Sequence, residues 1–436
     1  MHTRKVRLGA SCAWISICGV VSVAGCGFDP ASGTLDASII PDPIDESQPY
    51  NNQFEHSEDF PLSAGELGIR GNLDQTGDVD VYDLGPMNVG DRVIVDMEPE
   101  DPLDAAIALF DEDGTSLLVN DHRNVYLGTK VPFIDVVIRR PTDSCYAVVS
   151  ATPGYESSGS YLLWASKSYD DRLPEARPDV ILLNFDGASD VRIGSRAPVD
   201  VPPFDAADIS AKYEGSTDAI IELLVDDIRE DYEGFDVTIL STSEGYDYED
   251  GMSVLHFGTF NEELLGISDS VDEFNATQSQ QAIIFTDTFA AFMSLDPSVQ
   301  EMAQAIANVA SHETGHLLGL VHTQDPDSIM DVTASLRRLL SDQYFSRSPL
   351  HDDVFPIGNQ DAVWMLLDAT GGDTNLVLAK ASAFRSKSRE VRTLSIEPPA
   401  RERLLLSSCS LDARDHQSCG NHACSHAHDD GNPEEQ

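Results

Sequence analysis

Two hydrophobic periods divide the chain. From about residue 51 to residue 168, short apolar runs alternate with polar positions, as in Asp78-Val79-Asp80-Val81-Tyr82 and Arg92-Val93-Ile94-Val95, separated by turn signals such as Asp113-Gly114. Successive strand side chains point to opposite faces, so a period of two predicts half-buried strands and an all-β unit. After a joint around Leu173 to Pro178 the pattern changes. Val180 to Phe185 is a continuous apolar run, expected as a buried strand, and Ile220, Ile221, Leu224 and Ile228 recur at the spacing of one helix face. Phe235 to Leu240, Ser253 to Phe257 and Ala282 to Phe285 predict further strands. A long helix follows, with Asp296 expected as N-cap, Pro297 in the first turn, and Val299, Met302, Ala303, Ile306 and Ala310 as its apolar stripe. A last helix is predicted over Asp361 to Leu367. Beyond Gly371 the packing signal fades, which predicts a largely disordered polar tail over residues 371–436.

The two ends carry other signals. Arg4, Lys5 and Arg7 precede an apolar stretch from Leu8 to Gly25 that contains no acid, the composition of a secretory signal. The signal ends in Val23-Ala24-Gly25-Cys26, which resembles the lipobox of bacterial lipoproteins. That resemblance implies cleavage after residue 25, acylation of Cys26 and a lipid anchor in the bacterial envelope. Gly27 next to it points away from inner-membrane retention and so to the outer membrane; the alternatives are an uncleaved signal anchor or plain secretion. Residues 26–50, rich in Pro, Asp and Ser, read as a linker. Cys145, Cys409, Cys419 and Cys424 permit two disulfides in three connectivities, or leave Cys145 as a buried thiol. His416, Cys419, His422, Cys424, His426 and His428 crowd the tail without a recognised zinc spacing, and a disordered tail with weak metal affinity is the preferred reading.

Charge narrows the partners. With 75 acidic against 27 basic residues and a formal net charge of -48, the chain repels nucleic acid, and a nucleic-acid partner is discounted.

The chemistry lies in His312-Glu313-Thr314-Gly315-His316-Leu317-Leu318-Gly319-Leu320-Val321-His322. Two histidines four residues apart on a helix sit one turn apart on one flank and can grip one ion. A helix continued to His322 would carry that ring too far along the axis, so the chain must leave the helix, and Gly319 supplies the positive φ for the turn. Three neutral imidazoles suit Zn2+ and leave a fourth position for water. Glu313 is then the base that takes a proton from that water as it attacks a peptide carbonyl, and the acid that returns it to the departing amine. His256 and His351 are expected to be structural or exposed rather than ligands.

This extended motif resembles that of the metzincin metallopeptidases. The short interval to Thr323-Gln324-Asp325-Pro326-Asp327-Ser328-Ile329-Met330-Asp331 resembles the matrixin branch among them. The resemblance implies an α+β catalytic domain over residues 177–370 with a mixed sheet and an active-site helix. It also implies Met330 as the floor under the metal, a protein or peptide substrate, and structural Ca2+, for which Asp269, Asp272 and Asn275 are the candidate ligands. Asp331 departs from the aromatic that many matrixins carry there. Gly77 to Tyr82, Ala108 to Gly114 and Gly159 to Leu163 resemble the bacterial pre-peptidase C-terminal domain, which implies a β-sandwich over residues 51–168. The expectation is a lipid-anchored zinc endopeptidase acting on proteins outside the cytoplasm. The rival is a cell-surface binding or adhesion lipoprotein that keeps the zinc site as a scaffold without turnover.

Overall fold

The computed structural model describes residues 42–392 apart from 48–49, 63–64, 101–102, 122–130, 170–171 and 334. The signal stretch, Cys26 and the His/Cys cluster of the tail lie outside the described residues. Within them, no helix is long and apolar enough to cross a membrane.

The period-two region forms two five-stranded sheets. Its longer strands are β1 (Gly65–Leu73), β2 (Val79–Asp83), β3 (Asp91–Pro99), β4 (Ala105–Phe110), β5 (Ser116–Asn120), β6 (Phe133–Val137), β7 (Tyr146–Ala151) and β8 (Gly159–Tyr169). One sheet runs β1-β8-β3-β6 and the other β2-β7-β4-β5, antiparallel throughout, and each is extended at one edge by a parallel two-residue strand, Ile44–Asp45 or Glu58–Asp59. Ile69, Val95 and Leu163 of the first sheet share one apolar cluster with Ile107, Leu109 and Val149 of the second.

Alternation fails in β4. All six residues of Ala105–Phe110 are buried, because Ala106, Ala108 and Phe110 point away from the first sheet into a second cluster shared with Val321, Leu350, Val354 and Phe355. A continuous apolar run is what burial on both faces requires. The sheet pair is therefore packed directly onto the second half of the chain.

That half is built on a mixed sheet of β9 (Asp179–Asn184), β10 (Val237–Ser241), β11 (Ser253–Phe257), β12 (Gly266–Ser268) and β13 (Gln281–Ile284). The order is β10-β9-β11-β13-β12; every pair is parallel except β12 with β13. Helix α1 (Thr217–Asp231) buries Ile220, Ile221, Leu224, Val225 and Ile228, and helix α2 (Val299–Leu317) packs across it, tied by Tyr232 Oη donating to Ser311 O at 2.8 Å. The N-cap of α2 is Ser298, not Asp296. Its hydroxyl accepts from Glu301 N while the Glu301 carboxylate accepts from Ser298 N, a capping box that satisfies two end donors at once, and Asp296 turns out into left-handed backbone.

A short antiparallel pair, β14 (Arg347–Pro349) and β15 (Asn359–Asp361), precedes α3 (Ala362–Thr370), which extends past the expected end at Leu367. The segment expected as a polar tail opens instead with a helix, α4 (Thr374–Arg392). Its first turns dock through buried Val377 and through Phe384, whose ring stacks on Tyr344 at 5.2 Å. With partly buried Ala381 between them, three apolar side chains at helical spacing anchor an otherwise polar stretch. Cys145 is a buried free thiol, and burial pushes its pKa up to about 12.

Candidate metal centre

Helix α2 stops where the chemistry needs it to. Leu320 N donates to Gly315 O at 2.9 Å and Gly319 N to His316 O at 3.0 Å, closing the helix end. Gly319 has φ +97, and a Cβ there would also meet Asp272 O at 2.9 Å, so both backbone and space require glycine. The chain then turns back and brings His322 beside the helical pair.

The rings of His312, His316 and His322 are buried, with centroids 4.7, 5.4 and 4.8 Å apart. His312 Nδ1 lies 2.7 Å from Ile329 O and His316 Nδ1 lies 2.7 Å from Leu320 O. Carbonyls only accept, so each Nδ1 carries the ring hydrogen and each Nε2 presents a lone pair. His322 Nδ1 likewise faces Asp353 Oδ2 at 3.1 Å, and its Nε2 is buried without a hydrogen-bond partner. The two helical Nε2 atoms face each other at 3.1 Å. Two lone pairs in that position repel unless a cation lies between them. One ligand atom from each of the three residues lies within 4.8 Å of the others, and tetrahedral zinc with nitrogens at about 2.0–2.1 Å would hold them about 3.4 Å apart. The donor set fits Zn2+. Burial drives the pKa of His312 down to about 3 and that of His316 well below its ordinary value, with neighbouring imidazoles adding to both shifts, so both rings favour the neutral form that can bind a cation.

Glu313 follows His312 on α2 and is fully buried. Strand β12 runs against it: a Cβ on Gly266 would come within 2.5 Å of Glu313 Oε1. Met330 is fully buried beneath the helix end, and a Cβ on Gly315 would lie 2.6 Å from its sulfur. The turn that carries it is closed by Thr323 N donating to Met330 O at 2.8 Å. Asp331, where an aromatic is common, is buried and accepts from Thr333 N and Oγ1, so it caps the turn instead of packing.

Other candidates are placed elsewhere. His256 sits in β11, where Nδ1 accepts from Asn184 Nδ2 at 3.0 Å and Nε2 donates to Gln281 Oε1 at 3.2 Å, which uses both ring nitrogens. Asp269 accepts from Gly194 N and Gln281 N, and Asp272 from Thr277 N and Gln280 Nε2, so these carboxylates organise loops. Asn275 is fully buried, and its Nδ2 donates to Arg177 O. His351 is nearer the centre than expected: it shares Asp353 with His322, Nδ1 to Oδ1 at 2.6 Å. Asp353 and Gly315 are the two contributors that sequence reasoning missed. Gly315 lay inside the motif, while nothing distinguishes one carboxylate among 75 acidic residues.

Residues 242–346, which contain this helix, the turn and the Met330 loop, match the family model of the matrixins. The matched segment is matrixin-like. No curated protein matches the chain. Among solved structures, an archaemetzincin from Methanopyrus kandleri is 16% identical, covering 39% of this chain and 91% of that one at a TM-score of 0.23. The pre-peptidase C-terminal domain of a collagenase from Bacillus anthracis is 16% identical, covering 25% and 94% at 0.20. A periplasmic inhibitor of g-type lysozyme from Aeromonas hydrophila is 14% identical, covering 26% and 96% at 0.21. At these scores none of the three decides fold or chemistry. The matrixin match and the three-histidine cluster support a zinc metallopeptidase.

Proposed function

We propose that the chain is a zinc-dependent endopeptidase that hydrolyses proteins outside the cytoplasm, tethered to the bacterial envelope through a lipid on Cys26. The observation that carries the reading is the outward commitment of all three Nδ1 atoms, two to carbonyls and one to a carboxylate, which turns the three Nε2 lone pairs toward a shared ion. His312, His316 and His322 would hold Zn2+, which lowers the pKa of bound water and polarises a carbonyl.

The chain's own groups do the rest. Glu313 is the one acid within the motif, next in sequence to His312. Its carboxylate takes the proton of the attacking water and delivers it to the departing amine, one group acting first as base and then as acid. Met330 packs against Gly315 and keeps the helix end and the returning chain in register. We read the N-terminal sheets as a β-sandwich of the pre-peptidase C-terminal type.

Casein or gelatin hydrolysis by the purified chain, with zinc content measured alongside, tests this. One zinc per chain and cleavage abolished by a chelator and restored by Zn2+ are expected. A zinc-loaded protein that cleaves neither these nor a broad peptide library would instead be a binding lipoprotein.

A further inference from the structure

We propose that the N-terminal sheet pair is a working part of the metal centre: through Phe110 it seats the segment Leu350–Phe355, whose Asp353 orients the ring of His322. This rests on the zinc reading above and adds a positioning role that the ligand motif does not contain.

The chain of contacts is continuous. Phe110, at the end of β4, is fully buried, and its ring centroid is 5.8 Å from that of Phe355. The approach is so close that a Cβ on Gly358 would lie 2.2 Å from the Phe110 ring, at a φ of +94 that itself favours glycine. Polar ties flank the apolar one: Asn359 N donates to Gly114 O at 2.9 Å, Arg347 Nε donates to Thr115 Oγ1 at 3.1 Å, and a second Arg347 nitrogen donates to Asp113 O. From the covered segment, His351 N reaches back to His322 O at 3.1 Å, and the Asp353 carboxylate spans His322 and His351.

The cover matters because the segment has little order of its own. Residues 351–358 form only turns and bends, and two bonds to His351 O, from Val354 N and Phe355 N, are its local ladder. The Asp353 side chain is 51% exposed. Its bonds to His322 and His351 align the rings only while the loop backbone beneath it stays put, and a ligand imidazole depends on such a partner for its tautomer and direction. What holds that backbone in place is the burial of Leu350, Val354 and Phe355 under the outer face of the second sheet, beside a bond from Gln324 Nε2 to Leu350 O at 2.7 Å.

The test is zinc affinity, measured on the whole chain by competition with a chromophoric chelator, together with the absorption bands of the Co2+ form. Asp353→Ala is expected to weaken zinc about 10- to 100-fold. Phe110→Ala is expected to weaken it about tenfold and to shift the Co2+ bands, while Phe110→Leu restores both. Because Phe110 acts through Asp353, the double variant should lose no more than Asp353→Ala alone. Wild-type affinity in a folded Phe110→Ala, or losses that multiply in the double variant, would overturn the proposal. Should Phe110→Ala fail to fold, Arg347→Ala removes the two side-chain ties without opening the core. A loss of about twofold or more supports the coupling, and unchanged affinity overturns it. His316→Ala separates the two readings. If the wild type binds zinc no better than this variant, the metal site itself is wrong; tight wild-type binding indifferent to Phe110 and Asp353 removes only the coupling.

Discussion

His322 and Asp353 stand 31 positions apart and meet Nδ1 to Oδ2 at 3.1 Å. The two helical ligands are oriented by carbonyls of their own neighbourhood, Ile329 and Leu320, whereas the third depends on a side chain from outside the motif. The three candidate ligands are therefore unequal in what holds them.

Glu313→Gln should lower peptide hydrolysis about 10²- to 10⁴-fold while the protein still binds one zinc. Steady-state kinetics beside metal analysis decides this. Retained turnover would remove Glu313 from the chemistry, and lost zinc would make it structural.

His256→Ala should leave zinc stoichiometry unchanged and lower stability by about 1–3 kcal/mol, because Asn184 and Gln281 lose buried partners. Metal content and a denaturant titration read the two effects separately. A drop in zinc would mean the three-histidine set is incomplete.

Gly315→Ala should destabilise by about 1–3 kcal/mol, since the added methyl meets the Met330 sulfur. Met330→Ala in the same chain should recover part of the loss by making room. Thermal unfolding measures both; an unperturbed Gly315→Ala would show that Met330 is not packed there.

The pH prediction concerns Asp80 of β2. Burial first, then the charge of Glu46, push its pKa up to about 8, against the hydrogen bond from Tyr161 Oη at 2.5 Å. A carboxyl with a raised folded pKa binds its proton more tightly folded than unfolded. Its contribution is full below the unfolded value of about 4 and is lost as pH rises through about 8. The melting temperature of the wild type should therefore fall over that window more steeply than that of Asp80→Asn, which keeps an acceptor for Tyr161. Parallel slopes would refute the assignment.

How much of this could be read from the residues follows from range. The helical histidine pair and Gly319 were legible because one helix and its end relate them, whereas Met330 came only from the resemblance to the matrixins. The return of His322 was legible as a need, since a straight helix cannot deliver it. Asp353 was not, because its role comes from tertiary packing in an insertion without periodicity. Ala105 to Phe110 displayed its double burial as an unbroken apolar run, yet the surrounding alternation suggested a single buried face. Helix α4 escaped notice because Val377, Ala381 and Phe384 make too narrow a stripe to stand out from its polar neighbours.

Phe355 and Gly358 have a practical corollary for anyone dividing the molecule. Expressing the second half alone from residue 177 would strip the cover from Val321, Leu350, Val354 and Phe355 and leave an exposed apolar patch close to His322. Such a fragment should clump and leach its ion. Nicking within the sheet pair should likewise loosen the three-histidine cluster rather than leave it untouched.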